Sequence, residues 1–361
     1  MATPVRERLT DVLDAAGHPP ITLRAAGGGS ALVLPFGARV IGLFPQDDGE
    51  SVFWVNPRLT RVETARELFR ANEWIIKGGD RTWVGPEVDT HIGDLADPWG
   101  TYRVPSTIDP GRYTVEQSGD GATLSVQTQV PIHRRKTHCE VKLKKSVRMI
   151  PSPLRREVTM KGWLGEVAYA GYEQITSLRL VAAPDPSVQV GIWNLIILPA
   201  GGQMVVPTTG RTQVRVYFGS PGSTRLSVDE RVVHLRLDGH EQLKIGIRAA
   251  ALIGRAGYVR PCQDDTWTLV VRNFQVNPSG EYVDVPWEAT DDLGYAFQSY
   301  SDDGKMGDFG ELEYHAPAIG GETGLTAYVD RSQVWAFRGA RTHIHTIAEC
   351  LLGQGTLSGI V

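Results

Sequence analysis

The chain has 361 residues, 41% of them hydrophobic, a net charge of −4 and a pI near 6.2. That balance offers no basic surface to nucleic acid or to a membrane. Its three distant cysteines, Cys139, Cys262 and Cys350, suit unpaired thiols in a reducing compartment rather than a disulfide framework.

In chain order, MATPVRERLTDVLDAAG carries charges that interrupt any signal-peptide core, so a cytoplasmic protein is expected. Leu9, Val12, Leu13 and Ala16 predict an amphipathic helix over about 5–16. After ALVLPFGARVIGLF and SVFWVN, which read as strands, the good helix formers of VETARELFRANE predict a second helix over 62–73. Nearly everything that follows reads as β: ATLSVQTQVPI, CEVKLKKSVRMI, LRREVTMKGWL, SVQVGIWNLIIL, TQVRVYFG, RVVHLRL, QLKIGIRAA, WTLVVRNFQV and SQVWAFRG. Each is short, rich in Val, Ile, Leu or aromatics, and most are bounded by turn residues. In CEVKLKKSVRMI, Val141, Leu143, Val147 and Met149 lie between basic residues, the pattern of an antiparallel strand with one wet face. Many strands, few helices, 40 glycines and 22 prolines predict an all-β, mainly antiparallel sandwich or barrel. APDPSVQ (183–189) is the best internal break, and a single domain over 1–361 is expected. No apolar run approaches the roughly 20 residues of a membrane-spanning helix.

The densest chemical cluster is WIIKGGDRTWVGPE (74–87), which gathers Lys77, Asp80, Arg81, Trp83 and Glu87 within a few residues. Its paired glycines permit positive φ or close approach of backbone to a ligand. Aromatic faces beside charged hydrogen-bonding groups suit a sugar, although a tight turn with an Asp80–Arg81 ion pair would use the same residues. GGDRTW lacks the spacing and following helix of a phosphate cradle, and Ala26-Gly27-Gly28-Gly29 lacks the context of a dinucleotide site. His343 and His345 in THIHT alternate onto one strand face, but no carboxylate cluster adjoins them, so no metal and no cofactor is expected. The basic run PIHRRKTHCEVKLKK reads as a solvated face. Near the end, FGELEYHAPAI places Glu311, Glu313 and His315 on one face of a strand and Leu312 and Tyr314 on the other.

The order GGDRTWVGPE, WNLIILPAGGQMVVPT, LKIGIRA, GEYVDVPWE, YSDDG and GELEYHAPA resembles a bacterial family grouped with the galactose-mutarotase-like fold, over roughly residues 30–350. The resemblance implies a β-supersandwich with a few short helices. In aldose 1-epimerases of that fold, a late glutamate takes the proton of the anomeric hydroxyl and a mid-chain histidine serves the ring oxygen. By order along the chain, Glu313 is similar to the catalytic glutamate and Arg81 to a sugar-binding arginine. The histidine of the N-H-x-Y-F-N-L strand is missing: VGIWNLIILPAGG has Trp193 and Asn194 there. His315 and Lys244 are the candidate substitutes, Trp83 or Trp193 the stacking face, and Glu311 a further substrate contact.

The expectation is therefore a carbohydrate-active protein without metal, nucleic-acid or membrane partner, working by proton transfer on a sugar or glycoside. Epimerisation and glycosidic cleavage are both open. Cleavage by hydrolysis would need a second carboxylate across the bond, with Glu87, Asp264 or Asp265 as candidates. A non-catalytic carbohydrate-binding protein and a structural role are the alternatives. Nothing in the sequence specifies an oligomer.

Overall fold

The computed structural model describes residues 5–357. Two ten-stranded sheets, antiparallel in their pairings, face each other. The first runs in the order Ile21–Arg24, Ser30–Leu34, Arg39–Phe44, Asp80–Gly85, Gln189–Pro199, Phe309–His315, Phe297–Ser301, Leu243–Ile247 and Arg215–Phe218, with the short Ile319–Gly320 paired off the main path. The second is centred on the long strands Trp267–Asn273, Ala327–Gly339, Ala168–Ala182 and Thr137–Met149. APDPSVQ is the link by which the chain passes from Ala168–Ala182 in the second sheet to Gln189–Pro199 in the first.

Period-two patterning builds the space between the sheets. On Thr137–Met149, Cys139, Val141, Leu143, Val147 and Met149 point inward while Lys142, Lys144 and Arg148 are exposed. Across the gap, Ile196, Leu198, Leu312, Leu243 and Ile245 of the first sheet share one apolar cluster with Met204, Val206, Leu235, Val270 and Val334 of the second. Fully burying each such side chain is worth about 1.5–3 kcal/mol. Because this inward face is filled with side chains, a ligand has to use the other face of a sheet or a loop layer.

The helix Arg6–Ala15 buries Leu9, Val12 and Leu13 against Leu32, Leu34, Ile41 and Phe44, on the outer side of the first sheet. Val62–Arg70 joins the same cluster through Ala65 and Leu68; it ends three residues earlier than its composition suggests, because Ala71 turns extended.

Three segments differ from expectation. SVFWVN forms no strand: Val52 and Phe53 enter the inter-sheet core, Trp54 a cluster with Ile197 and Phe309, and Val55 the cluster under the helices. A run whose neighbours serve three cores cannot present two alternating faces. LRREVTMKGWL is a turn-rich stretch with the short 3-10 segments Val158–Met160 and Leu164–Glu166, whose Leu154 and Met160 cap an outer cluster on the second sheet. THIHT lies in the helix Arg341–Leu352, where Ile344, Ile347, Ala348 and Leu351 recur at helical spacing and are buried. His343 and His345 therefore do not share a strand face; one stacks on Trp163 at 4.3 Å and the other meets Trp267 edge-on. No helix among the described residues is long and apolar enough to cross a membrane, and Cys139, Cys262 and Cys350 are all free thiols.

Candidate functional site

Side chains in register across the middle strands of the first sheet form the floor of the site. Arg81 pairs with Leu195 and Leu195 with Glu313; Trp83 pairs with Trp193 and Trp193 with His315; Glu311 pairs with Tyr300 and Tyr300 with Lys244. Residues opposed in this way across a ladder share a face. Gly78 and Gly79, at φ +102° and +77°, lead the chain into Asp80–Gly85, and a Cβ at either would collide with the backbone of Trp54 or Val40. The paired glycines thus serve a close backbone crossing, not a ligand.

Over this floor lies a cavity of about 700 Å³, roofed by Leu68 and Phe69 of the helix Val62–Arg70, by Trp99 of Pro98–Thr101, and by Trp287 and Met306 from loops. Of the ten residues singled out in the sequence, Lys77, Arg81, Trp83, Glu87, Trp193, Lys244, Glu311 and Glu313 line it. Its size falls within the range of small-ligand sites, and its walls combine aromatic side chains with charged groups.

Glu313 is completely buried. Its Oε2 accepts from Trp193 Nε1 at 2.8 Å and lies 3.4 Å from Lys244 Nζ, while Oε1 has no hydrogen-bond partner. Burial pushes its pKa up to about 7 from an ordinary 4.5; Lys244 opposes that rise, and Glu311 and Glu87 add to it. Lys244 also lies 3.3 Å from Glu87 Oε2 and 4.8 Å from the centre of the Trp193 ring. Burial disfavours its charge, but Glu313, Glu87, Asp284 and Glu311 outweigh burial and hold its pKa above the ordinary lysine value. Glu87 is fixed further by Tyr102 Oη (3.0 Å) and Trp287 Nε1 (3.0 Å).

Arg81 donates to Glu311 Oε1 at 2.9 Å and lies 4.2 Å from the centre of the Trp83 ring. Its Nε and Nη1 are buried without partners. A guanidinium with two unused donors on a cavity wall is a ready ligand clamp.

Asp80 and His315 stand elsewhere. Alternation turns Asp80 to the opposite face of its strand from Arg81, so the two form no ion pair. Asp80 enters the inter-sheet space, where it accepts from Arg272 Nη1 at 2.5 Å and from the Tyr172 hydroxyl and lies 3.4 Å from Lys145. Burial works against its ionisation, but Arg272 and Lys145 prevail and hold its pKa below the usual carboxylate range. Lys145 was hidden in the basic run, although its place in the alternation, between Leu143 and Val147, marks it as inward. His315 shares the face of Glu313 but stacks on Trp193, ring centres 5.4 Å apart, outside the cavity lining. Burial, aided by Lys244, pulls its pKa down to about 3, so the ring is neutral. It supports Trp193 from outside the cavity.

Asp264 is an exposed partner of Arg338, and neither it nor Asp265 lines the cavity. Among the described residues no group of three or more His, Cys, Asp or Glu is placed to hold a metal ion. The contributors that sequence reasoning missed are Trp99, Tyr102, Asp109 and the aromatic Phe218. They come from loops, short helical turns and an edge strand with no periodic signal; Trp99 sits in the short helix Pro98–Thr101, whose Asp97 side chain accepts from Gly100 N–H.

No curated protein matches the chain. Solved structures with a similar general layout include the Slr1438 protein from Synechocystis sp. PCC 6803, at 13% identity and a TM-score of 0.46 over 89% of this chain and 96% of that one. Galactose 1-epimerase from Lactobacillus acidophilus NCFM gives 10% identity and a TM-score of 0.44, covering 89% and 94%. The GalM/aldose epimerase homologue from C. elegans gives 12% and 0.43, covering 90% and 100%. The model of a family of unknown function, DUF6786, matches residues 10–358, and the chain belongs to that family.

Proposed function

We propose that this protein is a carbohydrate-active enzyme in which Glu313 is the general base. The observation that carries the reading is Glu313 itself: a buried carboxylate with one oxygen unpartnered at an aromatic cavity and a pKa raised to about 7. A base works best when its pKa lies near the working pH. The walls support a sugar, since aromatic side chains line the cavity and Arg81 offers donors for hydroxyls. The resemblance of its motif order to that of mutarotase-like proteins supports it as well, since by that order Glu313 is similar to their late glutamate.

In the epimerase form of the reaction, Glu313 Oε1 takes the anomeric hydroxyl proton. The freed O–H electron pair forms the carbonyl as the bond to the ring oxygen breaks and its pair leaves with that oxygen. Lys244, kept charged by its carboxylates, donates a hydrogen bond to the ring oxygen as negative charge develops there. Proton transfer from Lys244 to that oxygen completes ring opening; on reclosure the ring hydroxyl attacks the other carbonyl face and returns its proton to Lys244, while Glu313 gives its proton back to the carbonyl oxygen. Lys244 takes the role expected of His315, which lies outside the cavity lining. The free thiols fit the reducing, cytoplasmic setting this reading assumes.

The test is exchange NMR of anomer interconversion over a panel of free aldoses and uronates, with binding measured alongside for wild type and Glu313→Gln. Loss of turnover in Glu313→Gln with binding retained is the expected result. Turnover unchanged by the substitution would remove Glu313 from the chemistry. Binding without turnover in the wild type, on free sugars and on glycosides, would establish the non-catalytic alternative.

A further inference from the structure

We infer that the ligand of this cavity carries an anionic substituent, a carboxylate or a phosphate, which docks on Lys77 beside the free edge of Arg81. The inference deepens the carbohydrate reading above and rests on it.

The other buried charges of the cavity wall are matched, while Glu73 and Arg103 line it from exposed positions. Lys244 lies between Glu87 and Glu313, Arg81 pairs with Glu311, and Arg39 holds Asp109 through two contacts of 2.6 and 2.7 Å. Lys77 is the exception. Its side chain lines the cavity and is 3% exposed, yet among the described residues its ammonium has no hydrogen-bond or ion-pair partner. It rests instead against aromatic rings, 5.4 Å from the centre of Phe36 and 5.8 Å from that of Trp74. A cation largely withdrawn from water and without a counter-charge favours an anion that completes it.

The second observation is the guanidinium of Arg81, buried with Nε and Nη1 unused. Its centre lies 5.9 Å from the same Trp74 ring, so the two cations flank one indole. Rings then connect this end of the cavity to the reactive end: Trp74 meets Trp83 at 5.5 Å, and Trp83 meets Trp193, the donor to Glu313, at 5.2 Å. A sugar lying along those rings with its reacting carbon at Glu313 would direct a substituent toward Arg81 and Lys77. An anion there would meet charge-assisted donors in a water-poor setting, where such bonds are strongest.

The groups facing Lys77 set its titration. Burial and Arg39 bring its pKa down to about 8, and Asp109 opposes them. His18 is also held below its ordinary value by burial and by Lys77, and the Arg81 guanidinium, with Glu73 and Arg103 at exposed positions, lines the same cavity. Anion affinity should therefore weaken as pH rises past about 8 and Lys77 loses its proton.

The experiment is calorimetric titration of the full chain with matched pairs: galactose with galacturonate, glucose with glucuronate, and glucose with glucose 6-phosphate, with inorganic phosphate alone as a further arm. Wild type should prefer the anionic member by roughly tenfold or more; uronate preferred over phosphoester, or the reverse, tells which anion is native. Lys77→Met should erase the preference. Lys77→Arg should keep it and carry it above pH 9, because arginine does not titrate there. Equal affinity for neutral and anionic members, or a preference that survives Lys77→Met, overturns the inference. If that happens while Glu313→Gln still abolishes turnover, the carbohydrate reading stands. Failure of every member of the panel to bind overturns both.

Discussion

At the scale of single residues, Glu313 and Lys244 define each other. The ammonium is what restrains the rise in the Glu313 pKa, against burial and two neighbouring carboxylates. A general base is active when deprotonated, so turnover should rise with pH and level off above about 7. Removing the ammonium in Lys244→Met should move that acid limb to higher pH as well as lower the plateau, and a pH–rate profile reads both. An unmoved limb would mean that Glu313 is not the titrating base. The sequence made Glu313 legible through strand alternation and motif order, and Arg81 through its dense motif and motif order. It misled for Asp80 through proximity: residues adjacent in a dense motif look like one site, yet consecutive residues on a strand face opposite ways. For His315, alternation gave the face but not the depth, and only the stacking on Trp193 shows that it lies outside the cavity lining.

At the scale of elements, Asp80–Gly85 works on both of its faces. Arg81 and Trp83 line the cavity, while Asp80 anchors the strand to the second sheet through Arg272, Tyr172 and Lys145. Arg272 also reaches Tyr314, which donates to Asp330, so polar contacts cross the core from the strand before the cavity to the strand after it. Asp80→Asn leaves two buried cations poorly matched and should cost about 3–5 kcal/mol, read as a lowered urea midpoint. A change of under about 1 kcal/mol would show that the network is dispensable. Sequence gave little sign of this network, because each member occupies an apolar slot in a different strand and only sheet pairing brings them together. Lys145 was the one readable trace.

At the scale of the whole molecule, three buried acids keep raised pKa values: Glu313 at about 7, Asp330, through burial, at about 6, and Asp302, also through burial, above its ordinary value. A carboxyl whose folded pKa lies above its unfolded value stabilises the fold below the unfolded pKa, and that contribution is lost as pH climbs through the folded one. Stability from these groups should therefore fall between about pH 4 and 7 and then flatten. Chemical denaturation of wild type and Glu313→Gln over that range should show a shallower decline in the variant; parallel curves would contradict the raised pKa. The all-β architecture was legible because alternation, turn residues and scarce helix signals agree along most of the chain. What escaped were segments governed by tertiary context: SVFWVN, divided among three cores, and THIHT, whose helical period becomes visible only with the residues after it. The loop-borne roof of the cavity escaped for the same reason. The measurement that bears most directly on the account is the ionisation of Glu313 itself, followed as the carboxyl resonance present in ¹³C-glutamate-labelled wild type and missing from Glu313→Gln. The account predicts a midpoint near pH 7 that shifts when a sugar binds; a midpoint in the ordinary range near about 4, indifferent to ligand, would contradict it.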